Sequence, residues 1–239
     1  MNDSLRRLGL TTLAKAVPGL LETARQQQPT YESFLQQALD TEVQGRAERA
    51  QQRRLHAARL PGTQSLDAFD FGFQPTLVPG LIRELATLQF LQTATNVVFL
   101  GPPGVGKSHL AAGLARRAIE AGRTVRWVTL RELAEEWTTL TESLHLRRYV
   151  SPHLLVIDEI GYVRLTLTQS QRFFDLVAAR YERGSMIFTS NRSFTEWGTL
   201  LGDEVLATAL LDRLLHHAEV ITINGRSYRL KERFTPPTT

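Results

Sequence analysis

The 239-residue sequence contains no cysteine. Disulfides, thiolate metal sites and cysteine nucleophiles are therefore excluded together, and such a chain suits a reducing cytoplasm. No stretch approaches 18 uninterrupted apolar residues, so no membrane-spanning helix is expected. The first residues carry Asp3, Arg6 and Arg7 without a following apolar segment of signal-peptide length, which argues against export. Internal repeats are absent, and the one biased stretch is a short Pro/Thr tail at 235–239. What is present is ordinary for a folded protein: 42% apolar and 22% charged residues can build a real core. The formal charge is only +4, but the basic residues are unevenly spread, which makes a polyanionic partner plausible.

From Leu5 to about Leu60 apolar residues recur at helical spacing: Leu13, Val17, Leu20 and Leu21, then Tyr31, Phe34, Leu35, Leu39 and Val43. Pro29 and Thr30 supply the start signal between two of these helices. The second turns basic toward its end, where Arg46, Arg49, Arg53, Arg54 and Arg59 face Glu48 alone. Such a stripe predicts a phosphate-binding face. A Pro-Gly break at 61–65 then sets the expected boundary, giving a helical domain at 1–62 for DNA binding or oligomerisation and an α/β domain at 63–239. Beyond the break the periodicity changes. Short β-branched runs at 96–100, 124–130, 153–158, 185–190 and 220–223 alternate with helical stretches such as 107–121 and 169–183. That alternation predicts a mostly parallel sheet flanked by helices.

Residues Gly101, Pro102, Pro103, Gly104, Val105, Gly106, Lys107 and Ser108 satisfy the G-x-x-x-x-G-K-[ST] pattern between a strand and a helix, with His109 directly behind. Glycines let the backbone close around phosphates, Lys107 reaches the outer ones, and the Ser108 hydroxyl suits Mg²⁺. A second apolar strand ends in Asp158 and Glu159, at the sheet edge where ligands of open α/β folds lie. Asp158 is the candidate for the Mg²⁺ shell and Glu159 for orienting or deprotonating the attacking water. Asn191, after the 185–190 strand, suits a neutral sensor of phosphate if that strand lies next to the first. Arg213, on an otherwise apolar helix, is placed as an arginine finger, against an internal pair with Asp203, Glu204 or Asp212. Trp197 is expected to pack rather than stack on bases. His216 and His217 are not expected to share a metal ion, because adjacent helical residues point about 100° apart.

Taken with Ile82-Arg83-Glu84-Leu85-Ala86-Thr87-Leu88, Ile157-Asp158-Glu159-Ile160-Gly161-Tyr162, Thr189-Ser190-Asn191, Phe194-Thr195-Glu196-Trp197, Leu210-Leu211-Asp212-Arg213-Leu214-Leu215-His216-His217-Ala218 and Gly225-Arg226-Ser227-Tyr228-Arg229-Leu230, these motifs resemble the IstB-like family of insertion-sequence ATPases. The resemblance implies an AAA+ module of the initiator and helicase-loader branch, similar to DnaC, behind a helical DNA-binding domain. It also implies a bacterial cytoplasmic ATPase that assembles as a homo-oligomer on duplex DNA in the ATP state, deforms it and presents it to a partner transposase. Hydrolysis of ATP, with Mg²⁺, then dismantles the complex. By position, Lys107, Ser108, Asp158, Glu159, Asn191 and Arg213 inherit the corresponding roles. Arg229 is left without one. Between the second strand and the acidic strand, Arg147 and Arg148 are further candidates for DNA contact. The alternative is a replicative helicase loader of the DnaC type, built on the same core.

Overall fold

The computed structural model describes residues 1–139 and 147–233. Two compact units divide the chain, Met1–Arg53 and Arg54–Thr239.

The first unit is helical: α1 (Asn2–Arg7), α2 (Thr11–Gln27) and most of α3 (Tyr31–Ala58). Helix α2 begins after Leu10, which has no side chain able to cap it. The orphan N–H groups of its first turn need acceptors, and Glu42 supplies them from α3. One carboxylate oxygen of Glu42 accepts from Thr12 N at 2.9 Å and Leu13 N at 2.8 Å. The other takes Arg46 Nε at 2.9 Å and Arg49 Nη2 at 3.0 Å. Burial by itself would raise this carboxyl. The Leu13 N–H, the Arg46 and Arg49 guanidiniums and the Thr12 N–H outweigh it, and the pKa falls to about 2. Gly45 is required here because a Cβ would lie 2.2 Å from the Thr12 hydroxyl.

This cluster corrects the expectation of five arginines opposed by Glu48 alone. Arg46 and Arg49 are tied to Glu42, one turn before the segment in which only Glu48 was counted. Arg53 is exposed and Arg54 half-buried. Arg59 lies beyond the helix end at φ 56°, so the stripe does not continue through it. The units divide within α3, earlier in the chain than the 61–65 break, because Leu55, Ala58 and Leu60 pack into the core of the second unit.

In the second unit the strands are β1 (Asn96–Leu100), β2 (Val125–Thr129), β3 (Leu154–Ile160), β4 (Ser185–Ser190) and β5 (Ala218–Thr222), in sheet order β2-β3-β4-β1-β5. All neighbours are parallel. The helices that position the site are α4 (Pro79–Leu85), α5 (Lys107–Glu120), α6 (Leu130–Thr139), α7 (Leu167–Arg180), α8 (Trp197–Leu201) and α9 (Glu204–His216). Alternate strand residues point to opposite faces, and the core is accordingly double. Val97, Phe99, Val156 and Ile187 pack with α4 and α5 on one face. Val98, Leu155, Ile157 and Phe188 pack with α6, α7 and α9 on the other. Trp197 is fully buried in this second cluster, as expected for packing, and is not available as a base-stacking platform.

Most element limits differ from expectation by one to three residues, as local sequence marks the ends weakly. The largest difference in consequence is at β5, which starts at Ala218 directly after α9 rather than at 220. Buried Arg180, at the end of α7, donates to the carbonyls of Tyr149, Val150, Pro152 and Ser185 at 2.8–3.0 Å. Those bonds fix the chain that enters β3 and so the height at which β3 delivers its carboxylates.

Candidate functional site

The loop 101–106 leaves the C-terminal end of β1 and turns into α5. Gly101, Gly104 and Gly106 hold φ of 147°, 84° and 103°, values that L side chains rarely adopt. Space forbids side chains as well. A Cβ on Gly104 would lie 2.1 Å from the Ser227 hydroxyl, and one on Gly106 would lie 2.5 Å from the Phe69 ring. The glycines thus admit both an anion-binding backbone and two segments packed over it, one from 65–76 and one from 223–230.

Those segments are stitched to the loop and to each other. Gly104 O accepts from Tyr228 N at 2.9 Å. Gln74 Nε2 donates to Arg226 O at 2.9 Å, and Thr76 Oγ1 to Asn224 O at 3.0 Å. His109 meets Ser65 O at 2.8 Å and sets its ring edge-on to Phe69. The result is a cavity of about 260 Å³ lined by Pro103 through His109, Glu159, Asn191, Phe69, Gln74, Tyr228 and Arg229, among others. Gly101 and Pro102, at the start of the loop, do not line the cavity, and their carbonyls accept from Lys107 Nζ at 2.6 and 2.8 Å.

Asp158 is buried at the end of β3 and reaches the loop through Ser108, whose Oγ donates to Asp158 Oδ1 at 2.8 Å. The Thr189 hydroxyl donates to the same oxygen, and Thr189 Oγ1 accepts from Glu159 N at 3.1 Å. Thr189 therefore joins the two acidic residues across β3 and β4, a role that no motif signals in advance. Glu159 sits at an irregularity in the β3–β4 register and takes φ 63°, a costly backbone for a non-glycine residue. Its side chain is exposed and lines the cavity.

Because β4 pairs with β1, with Ser190 opposite Leu100, Asn191 stands beside the loop and lines the cavity. Its Oδ1 is buried without a hydrogen-bond partner among the described residues, close over Gly161. Arg213 is elsewhere. On α9 it stacks over Phe174 at 4.6 Å and donates to Ala209 O at 3.3 Å, with no ion pair to Asp203, Glu204 or Asp212 among the described residues. Arg147 is exposed, while Arg148 is held by Glu136 at 3.3 Å. Phe69 and Gln74 line the cavity without belonging to any sequence motif, while Thr189, Tyr228 and Arg229 lie in motifs that assign them no role.

Burial lowers the pKa of Lys107 to about 8; the Asp158 carboxylate opposes this and the Arg229 guanidinium adds to it. Phosphate oxygens favour the charged lysine. ATP binding is therefore expected to be proton-neutral at pH 7 and to take up close to one proton above pH 8. Affinity should then fall by up to about tenfold per pH unit toward the ordinary lysine value of 10.5. Calorimetry in two buffers of different ionisation enthalpy measures the uptake, and a pH-independent affinity from 7 to 9.5 would contradict the assignment.

A glycine-rich loop before a helix, a lysine at the loop's mouth and a buried strand-end carboxylate against its serine define a P-loop nucleotide-binding domain, here with the AAA+ sheet order. The chain belongs to the IstB-like ATP binding protein family, which it matches over residues 3–235. It is 43% identical to an ATP-binding protein of insertion sequence IS21 from Pseudomonas aeruginosa over 233 residues, 96% of this chain and 88% of the relative. With an ATP-binding protein of insertion sequence IS5376 from Geobacillus stearothermophilus the identity is 38%, over 98% of this chain and 94% of the other. The structure of the DnaC helicase loader superimposes with a TM-score of 0.52 at 22% identity, covering 60% of this chain and 86% of that one. This last likeness concerns the fold. Among the described residues no helix is long and apolar enough to cross a membrane.

Proposed function

We propose that the protein is the ATP-hydrolysing, DNA-binding helper of a transposase, assembling on duplex DNA with ATP and released by hydrolysis. The observation that carries the reading is the split of the machinery. The phosphate loop from Pro103 onward, Glu159 and Asn191 line one cavity, with Asp158 joined to it through Ser108, while Arg213 lies on α9 outside that cavity and without a carboxylate partner among the described residues. A site of this kind is completed by a neighbouring subunit, which couples assembly to the nucleotide state. The insertion-sequence origin of relatives aligned over nearly the whole chain supports transposition, whereas the likeness to the helicase loader extends to fold alone.

The donor set fits Mg²⁺: the Ser108 hydroxyl and the Asp158 carboxylate are hard oxygen ligands already in contact. Bound there with ATP, Mg²⁺ would neutralise charge developing on the phosphates. Lys107 exchanges the Gly101 and Pro102 carbonyls for phosphate oxygens. Glu159 orients the attacking water and takes its proton, Asn191 reports the γ-phosphate by donating from Nδ2 while its unpartnered Oδ1 is free to accept from that water, and Thr189 keeps Asp158 and Glu159 in register. Arg229, on the cavity wall with Tyr228, adds positive charge close enough to be felt by Lys107.

For DNA, the exposed Arg53, Arg59 and Arg147 and the half-buried Arg54 are the proposed phosphate contacts, with Arg46, Arg49 and Arg148 drawn in only by exchanging their glutamate partners. Binding is expected to be largely sequence-independent, with each lost contact flattening the slope of log affinity on log salt by about 0.9. Arg53→Ala together with Arg147→Ala should remove close to two units per subunit and leave nucleotide affinity unchanged. Fluorescence anisotropy of a labelled duplex across a salt series reads this; an unchanged slope would move the DNA path to another surface.

A further inference from the structure

On the edge of the second unit remote from the nucleotide cavity, helix α9 runs directly into β5 through His216 and His217. The sequence argument against a shared ion assumed that both are helical, with rings about 100° apart. In the structure His217 leaves the helix at φ −130° and ψ 79°, and its ring turns back to within 4.2 Å of the His216 ring. Glu182, held at φ 56° in the turn after α7, joins them. One nitrogen of each histidine and one Glu182 oxygen lie within 4.8 Å of one another.

We propose that His216, His217 and Glu182 form a binding site for a borderline first-row divalent cation, Zn²⁺ being the reference ion. The donor set is two imidazoles and a carboxylate, which suits Zn²⁺ and its neighbours and not Mg²⁺ or Ca²⁺. Distances agree with that assignment. His217 Nε2 and Glu182 Oε1 are 3.5 Å apart, long for a hydrogen bond but equal to the edge of a tetrahedron whose ligands sit about 2.0–2.2 Å from the ion. Small rotations of exposed side chains bring the third donor in, and water fills the fourth position.

Two further features make the site prepared rather than accidental. The Tyr181 hydroxyl lies 2.8 Å from His216 Nδ1. If Nδ1–H donates to that phenol oxygen, the ring is oriented and its ligating lone pair falls on Nε2, the arrangement by which outer groups tune metal-bound histidines. The backbone carrying the ligands is also pinned: Asn96 N donates to His217 O at 2.8 Å and Asn96 Nδ2 to Leu214 O at 3.0 Å. An ion here would staple the turn after α7 to the α9–β5 junction. Arg213 lies one helical turn before His216, so the staple braces the helix that presents it.

Zn²⁺ titration of the purified full chain by calorimetry, with Mg²⁺ in constant excess, tests the proposal. One saturable Zn²⁺ site per chain is expected, unaffected by the Mg²⁺. Affinity should drop at least 100-fold in the His216→Ala, His217→Ala double variant, and about tenfold in Tyr181→Phe, which removes no ligand. Glu182→Gln, an exposed and conservative change, serves where the double variant fails to fold and should weaken binding by at least tenfold; retained ATP binding certifies each variant. A wild-type chain that shows no saturation below millimolar Zn²⁺, or Zn²⁺ affinity that is unchanged in the folded variants, overturns the site.

Discussion

Replacing Arg213 by alanine is expected to leave ATP binding by the isolated subunit intact and to lower DNA-stimulated hydrolysis by about 10³-fold, the worth of a well-placed arginine finger. The fold should tolerate the change. Arg213 stacks on Phe174 and makes one bond to the helix carbonyl of Ala209, contacts whose loss costs about 1 kcal/mol. Lysine should not restore the rate, since an ammonium lacks the planar fork that spans phosphate oxygens. Mixing decides between action on the subunit's own ATP and on a neighbour's. An Arg213→Ala subunit keeps its Glu159, and a Glu159→Gln subunit keeps its Arg213, so mixed assemblies should regain phosphate release that neither variant shows alone. Mixtures as inactive as their parents would place Arg213 at its own subunit's site or outside catalysis.

Glu159→Gln is expected to bind ATP normally and to hydrolyse it at least about 10²-fold more slowly, the usual contribution of a general base. Its complexes on DNA should persist correspondingly longer. The substitution preserves shape at a residue whose backbone is already held at φ 63°, and the bond from Glu159 N to Thr189 Oγ1 does not involve the altered group. A folding defect is therefore not the explanation available for a slow variant. Single-turnover phosphate release with and without duplex DNA measures the effect. Wild-type turnover would transfer the role to another group on the cavity wall.

The parts of the site that could be read in the sequence are those whose chemistry is local. The phosphate loop is eight consecutive residues, and its glycines are dictated by φ values that the same eight residues must adopt. The strand ending in Asp158 and Glu159 is legible for the same reason: an apolar run and two carboxylates are neighbours in the chain. Asn191 was legible only on the condition that β4 lies beside β1, which pairing then supplied. Phe69 and Gln74 carry no local signal, and Thr189, Tyr228 and Arg229 lie in family motifs that do not say what they touch. Each acquires its place from a partner far away in sequence, as Gln74 does from Arg226 and Thr189 from Asp158.

Charge was the least legible property. Counting Arg46 and Arg49 as free cations failed because the carboxylate that engages them, Glu42, is buried at a helix packing contact and caps α2, whose own N-cap residue is a leucine. Likewise, the geometry of His216 and His217 turned on where one helix stops, which depends on β5 pairing with β1 from Ala218 onward and not on propensity within α9.

By itself, then, the sequence determined the α/β class, the phosphate loop, the acidic strand end and the helical character of the first fifty residues, because periodicity and short-range backbone requirements are written in adjacent residues. The tertiary structure alone decided which arginines Glu42 engages, that 65–76 and 223–230 close over the loop, and that Arg213 stands apart from its own subunit's cavity. Those outcomes depend on strand order and on packing between segments that are apart in the chain, about 30 residues for Glu42 with the start of α2 and about 150 for Gln74 with Arg226, and no local pattern encodes such contacts.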